Sequence, residues 1–315
     1  MTEPRHGVLL MAYGSPDSVE QVAPYFTHIR GGRAPSPEAI ANLETRYRSV
    51  GGRTPLLAIT EAVRAALEDE LARDNGANTR VFIGMKHWHP FIVETIGEMA
   101  SAGITNATAI ALAPHYSRMS IGGYRRAVEE ALGAIGHPFS VTFVSSWHRE
   151  PEFVAMMADL VRHGLAALGM DATDPVMTVF TAHSLPERIR EWNDPYEREL
   201  AESAAAVARR AGLRDWRVAW QSAGSTGEPW IGPDILECLA ALQREGVRRV
   251  LQVPIGFVAE HLEILFDIDI EAQREATRLG LTLARTAMPN ASPSFIRTLA
   301  AVVRNAATLA AVPVA

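Results

Sequence analysis

The segment AEHLEILFDIDIEAQ, Ala259 to Gln273, spaces Glu263, Asp267 and Glu271 at i, i+4 and i+8 among apolar residues. On a helix those carboxylates share one face, where like charges at i, i+4 repel. The almost continuous apolar residues between them predict a largely buried helix, and a buried carboxylate needs a partner, a metal or a proton. The nearby cation in sequence, Arg274, falls by periodicity close to Glu271, away from Glu263. Two readings stand: a solvent-facing stripe, or a row of metal ligands. In TAHSLPERI, His183 closes an apolar run and Pro186 delays helix entry, which aims the imidazole into a strand-end crevice. A lone histidine in such a place is more often structural. One that shares its crevice with Glu263 is suited to proton removal near pH 7 and to binding a borderline metal.

Two further clusters carry chemistry. GMKHWHPF brings Lys86, His87 and His89 to another strand end, where His-x-His is a weak metal pair. The stretch 25–56 holds Arg30, Arg33, Arg46, Tyr47 and Arg48. Those guanidinium forks either recognise carboxylates on a ligand or form ion pairs within a long loop.

Positioning these residues requires strand ends. Apolar runs at 7–13, 79–85, 107–114, 140–146, 175–183, 216–221, 249–256 and 281–286 alternate with amphipathic helical patterns. The alternation predicts an α/β protein with parallel sheets covered on both faces. LLMAYGSP resembles VFTAHSLP, and IVETIGEMASAG matches ILECLAALQREG in periodicity and terminal Gly. The chain therefore reads as two similar Rossmann-like lobes, each a four-stranded parallel sheet flanked by helices, with a cleft between them. The lobes are expected at 1–168 and 169–290, with a helix near 291–310 packing back on the first. In such sheets ligands sit beyond the carboxyl ends of the strands.

Composition narrows the chemistry. Among 315 residues, 30 Lys and Arg against 36 Asp and Glu give a net charge of −6, which does not suit nucleic acid. Cys238 is the only cysteine, so a disulfide framework, a thiolate zinc site and an iron–sulfur cluster are excluded within one chain. There is no G-x-G-x-x-G after the first strand, no P-loop, no H-E-x-x-H and no G-x-S-x-G. No signal peptide or membrane-length apolar run is visible, and a cytoplasmic location is expected.

With these residues in view, the sequence resembles the ferrochelatase family, which inserts ferrous iron into a porphyrin. The resemblance spans essentially the whole chain through MAYGSP, YFTHIRGGR, RYRSVGGRTPL, IGMKHWHPF, LAPHYS, TAHSLPE, GEPWIGPD, VPIGFVAEHLEILFDIDIEA and MPN. It is nearest to the compact enzymes of Gram-positive bacteria that use coproporphyrin III. It implies a chelatase-like fold with His183 and Glu263 as the catalytic, metal-binding pair. Asp267 and Glu271 would bind an outer divalent cation, on a helix containing an i→i+5 widening. Tyr13 would face the opposite side of the porphyrin and is a candidate axial ligand of the product iron. Arg30, Arg46, Tyr47, Thr54 and Tyr124 would hold propionates, with Lys86, His87 and Trp230 lining the cleft. Thr54 stands where close relatives often have Ser, which keeps the hydroxyl.

The resemblance further implies Fe2+ as a substrate, no organic cofactor, no iron–sulfur cluster, no nucleic-acid partner and no stable membrane insertion. A monomer making transient contact with heme-pathway enzymes is expected. The competing functions are a protoporphyrin IX ferrochelatase, a cobalt or nickel chelatase of a sirohydrochlorin-type ring, and a non-catalytic tetrapyrrole-binding protein. The last would need the arginines but not the His183–Glu263 pair.

Overall fold

The computed structural model describes residues 5–75, 78–169, 174–224 and 227–310. Eight strands form two four-stranded sheets. The first contains β1 (Arg5–Ala12), β2 (Thr79–Met85), β3 (Ile104–Ala111) and β4 (Ser140–Val144), in the order β2-β1-β3-β4. The second contains β5 (Val176–His183), β6 (Trp216–Gln221), β7 (Arg249–Val253) and β8 (Thr282–Arg285), in the order β6-β5-β7-β8. Every pairing is parallel, and the two orders are the same permutation. The predicted strands therefore appear with the duplication read from the sequence.

Helices cover these sheets because their central strands are apolar on both faces. Val8 and Leu10 of β1 enter one core, while Leu9 and Met11 enter another, as a side-chain period of two requires. In the first lobe α1 (Val22–Ile29), α2 (Pro37–Ser49) and α3 (Leu56–Asn75) precede β2, and α4 (Ile92–Ser101) and α5 (Ile121–Ala134) follow. Then come α6 (Pro151–Leu168), α7 (Tyr196–Ala211), α8 (Ile235–Arg244), α9 (Gln273–Leu279) and α10 (Pro293–Ala310). The repeat reaches the helix starts. The Phe91 amide donates to Glu94 at 2.7 Å before α4, and the Asp234 amide donates to Glu237 at 3.1 Å before α8.

One buried cluster joins the lobes. It includes Val8 and Leu10 of β1, Phe153 and Val161 of α6, Phe180 of β5, Leu251 of β7, and Phe295 and Leu299 of α10. Helix α6 packs on α7, β7 and β8 of the second sheet's layer, and α10 packs on α3, α6, β3 and β4.

Both sheets reverse strand order beside their first strand, so β1/β3 and β5/β7 are the switch points where a crevice opens at the carboxyl ends. Among the described residues no helix is long and apolar enough to cross a membrane.

Candidate active site

His183 ends β5, at the second switch point. Its main chain is pinned on several sides. The Ser184 amide donates to the Gln221 carbonyl at 2.7 Å, the Ser184 hydroxyl donates to the Ile231 carbonyl at 2.7 Å, and the Tyr196 hydroxyl donates to the His183 carbonyl at 2.9 Å. Nδ1 lies against the Ser184 carbonyl, so that nitrogen must carry the hydrogen. Nε2 is thereby left facing Glu263, 3.4 Å from Oε1. A lone pair aimed at a carboxylate is repelled unless a cation lies between them, and that cation is either a proton or a metal. Burial disfavours imidazolium, but the charge and hydrogen bond of Glu263 and the Ser184 carbonyl outweigh it, so the pKa of His183 is raised. For Glu263, burial raises the pKa but His183 and His261 prevail, holding the carboxyl far below its usual range. About a third of each side chain remains exposed.

Glu263 opens a π-helix, Glu263–Ala272, which contains all three predicted acids. A π stretch of ten residues is well beyond the usual single-turn bulge, and such geometry is frequent at functional sites. The approach to it runs close to β5: a Cβ on Gly256 would lie 2.5 Å from that of Ala182, so only glycine fits there. Beneath the site Thr181, Gln221 and Gln252 form a buried polar ladder, and Gln221 Nε2 reaches the Glu263 carbonyl at 3.4 Å.

His261 was not among the residues singled out from sequence. Its Nδ1 meets the Ala259 carbonyl at 2.9 Å, and its Nε2 lies 3.6 Å from Glu263 Oε2. In a continuous helix i and i+2 point apart, but His261 precedes the first helical turn. The histidine in AEHLE was the available signal. His183 and His261 address different oxygens of one carboxylate and so form an open chain. Among the described residues no three His, Cys, Asp or Glu side chains close into a ready-made metal site.

The other acids diverge. Asp267 is 3% exposed and binds the Arg46 guanidinium and the Ser222 hydroxyl. Arg46 also lies 4.6 Å from the centre of the Phe266 ring, and its Nε is a buried donor without a hydrogen-bond partner. Glu271 is exposed. Arg285 takes both neighbouring acids, with Nε 2.6 Å from Asp269 and Nη2 3.1 Å from Glu260. The helix thus finds its cations far away in sequence, in Arg46 and Arg285, and not in adjacent Arg274.

Across the cleft lobe one presents phenols, an amine and imidazole. Tyr13, just past β1, is 44% exposed, and its ring centre lies 4.5 Å from that of His87. Gly14, at φ 95°, turns the chain against the Trp88 amide, which a Cβ would approach to 2.8 Å. Tyr47 is buried; its hydroxyl lies 3.1 Å from Ser15 Oγ, to which Thr54 also donates at 2.8 Å. Burial leads the rise of the Tyr47 pKa to about 12.

Burial and Arg126 push Lys86 down to about 8, with its Nζ 5.2 Å from the buried Tyr124 ring centre. His87 is held down at about 3 by burial, Lys86 and His28, and pairs with His28 rather than His89. Trp230 flanks His183 with 6.3 Å between ring centres. Arg30 is exposed at the end of α1, without an ion pair among the described residues. Cys238 is buried on α8.

Two lobes of one topology, with an imidazole–carboxylate pair on one and tyrosines on the other, have the fold of the chelatases. In fold the chain is similar to SirB from Bacillus subtilis, solved with Fe3+: the TM-score is 0.60 over 97% of each chain at 12% identity. The ferrochelatase family model matches residues 5–307, and the chain belongs to that family of porphyrin-metallating enzymes, which take a porphyrin and Fe2+ as substrates. It is 45% identical over 296 residues to a ferrochelatase of Herpetosiphon aurantiacus, covering 94% of this chain and 97% of that one. It is 41% identical over 305 residues to the coproporphyrin III ferrochelatase of Bacillus subtilis, covering 96% and 98%.

Proposed function

We propose that this ferrochelatase inserts Fe2+ into coproporphyrin III to give coproheme. The observation that carries the reading is the His183–Glu263 pair, with Nε2 3.4 Å from Oε1 at the carboxyl end of β5. The names of relatives near 40% identity support the substrate. A porphyrin with four carboxylates gains more from Arg30, Arg46, Tyr47 and Thr54 than one with two.

A planar macrocycle lying between the faces must lose two pyrrole protons while the iron loses its water. His183 Nε2 receives one of these protons, Glu263 stabilises the resulting imidazolium, and release of that proton to water at the exposed edge of the ring frees Nε2 to take the second. The same nitrogen and carboxylate can bind Fe2+ when unprotonated, so proton and metal compete for one place. Holding the ring by its carboxylates supplies binding energy remote from the reacting nitrogens, which can be spent on deforming the ring. The open arrangement of His183, Glu263 and His261 suits an ion in transit. Asp267 and Glu271 are the outer cation ligands in this reading, with Asp267 released when a substrate carboxylate takes Arg46.

Anaerobic mixing of the purified protein with Fe2+ and either coproporphyrin III or protoporphyrin IX, followed optically, tests this. The expected result is a higher kcat/KM for the tetracarboxylate and loss of insertion in His183→Ala. No advantage for coproporphyrin III would refute the substrate; full activity in His183→Ala would refute the mechanism.

A further inference from the structure

Helix α7 meets the main chain of His183 at its first residue and is gripped by lobe one over its first two turns. Tyr196 donates to the His183 carbonyl at 2.9 Å. Asp194, just before the helix, accepts from the Arg118 amide at 2.7 Å and the Ser117 hydroxyl at 3.1 Å. Glu199, one turn into α7, accepts from the Tyr116 amide at 2.7 Å and the Ser146 hydroxyl at 2.8 Å, and lies 3.3 Å from His148 Nδ1. Glu202 takes His148 Nε2 at 3.0 Å, and Ser203 meets His115 Nε2 at 2.7 Å. All these lobe-one groups come from the loops that follow β3 and β4.

The clasp is largely buried: His115, His148, Glu199 and Ser203 are all buried side chains. Such a network is tolerable only when every member is satisfied. Leu200, Ala204 and Val207 already bury α7 in the shared core, so holding the helix does not require the polar groups. Burial works against imidazolium at His148, but Glu199 and Glu202 prevail and raise its pKa. Arg149 and Arg198 face Glu202 from outside, and the His115 ring centre is 5.8 Å from that of His148.

We infer that α7 is a positioning lever: lobe one grips it through His148 and Glu199, and Tyr196 passes that grip to the main chain of His183. The inference rests on the proposed role of His183. A porphyrin held by carboxylate contacts on lobe one reacts with a base on lobe two, so the register between lobes sets the distance from Nε2 to the pyrrole nitrogens. Misplacement by about 1 Å can cost about 10²-fold in rate. Tyr196, His148 and Glu199 are thus positioning residues, remote from the reacting atoms.

The test is steady-state insertion of Fe2+ into coproporphyrin III by Tyr196→Phe, Glu199→Gln and the double variant. It is paired with NMR of the His183 ring in protein labelled at histidine nitrogen. Tyr196→Phe should lower kcat about tenfold and Glu199→Gln about threefold, with the porphyrin KM within about twofold. Because the two act in series, the double variant should be no slower than Tyr196→Phe. Both single variants should shift the His183 ring signals, which neither touches. Unchanged kcat in Tyr196→Phe, losses that multiply, or a KM that rises with the loss of kcat would each overturn the lever. If Tyr196→Phe does not fold, His148→Gln with Glu199→Gln takes its place, and unmoved His183 signals overturn it. Inactive His183→Ala beside fully active Tyr196→Phe removes the lever alone; active His183→Ala removes the reading beneath it.

Discussion

The two lobes share strand order and helix-start chemistry, yet their switch points carry opposite equipment. Past β1 and β2 lobe one offers Tyr13, Lys86 and His87, with no carboxylate among them, and its amine and imidazole are driven towards neutrality by burial. Past β5 and β7 lobe two offers His183 and Glu263, whose opposite charges shift each other's pKa, the imidazole up and the carboxyl down. A duplicated scaffold has kept its geometry and divided its chemistry. In the proposed mechanism one side lies against the macrocycle, and the other exchanges protons and metal with it.

The largest test of that division is Glu263→Gln, which keeps the shape but removes the charge. Insertion should fall about 10²- to 10⁴-fold, the range for a lost acid–base group, while porphyrin binding by fluorescence quenching stays within about twofold. Equal loss of both would mean that lobe two also holds the ring.

Arg46→Met probes the seam between the lobes. Porphyrin affinity should drop about tenfold, the scale of one charge-assisted hydrogen bond, with kcat nearly unchanged. Unchanged affinity for coproporphyrin III would show that Arg46 serves Asp267 alone.

The pH dependence sharpens the comparison further. His183 must be unprotonated to take iron or a pyrrole proton, so kcat/KM should fall as pH drops through its raised pKa. In Glu263→Gln the residual activity should keep its plateau to lower pH, because the charge that raises that pKa is gone. An acid limb that stays in place would point to another group. The pair's contribution to stability has a matching window. For His183 it is present below the ordinary 6.5 and is lost as pH rises through the raised value. For Glu263 it is present above the ordinary 4.5 and is lost as pH falls through the depressed value. Urea midpoints across pH, wild type against Glu263→Gln, measure it.

The smallest effect is expected at the exposed end of the acid row. Glu271→Gln should leave kcat within about twofold and weaken only binding of an outer divalent cation, read by calorimetry. A loss as large as that in Glu263→Gln would erase the distinction between inner and outer acids.

Much of the scaffold was legible because parallel strands buried on both faces leave continuous apolar runs, and because the runs occur twice. LLMAYGSP and VFTAHSLP do take equivalent central strands, β1 and β5. Partnerships across the cleft were not legible. Arg46 and Asp267 are 221 residues apart, and no local period connects them. His261 lies before the helix, where the helical spacing of the acids carries no information about it. The clasp on α7 was hidden because its histidines and glutamates are scattered over three segments.

Helix α10 carries a consequence for the making of the protein. It lays Phe295 and Leu299 into the shared core and packs on α3, more than 200 residues earlier in the chain. During synthesis the first lobe emerges early but lacks part of its cover until α10 leaves the ribosome. The apolar face of α3 must wait meanwhile, exposed to chaperones and to other nascent chains. The half of the molecule translated first is therefore among the last parts to be sealed.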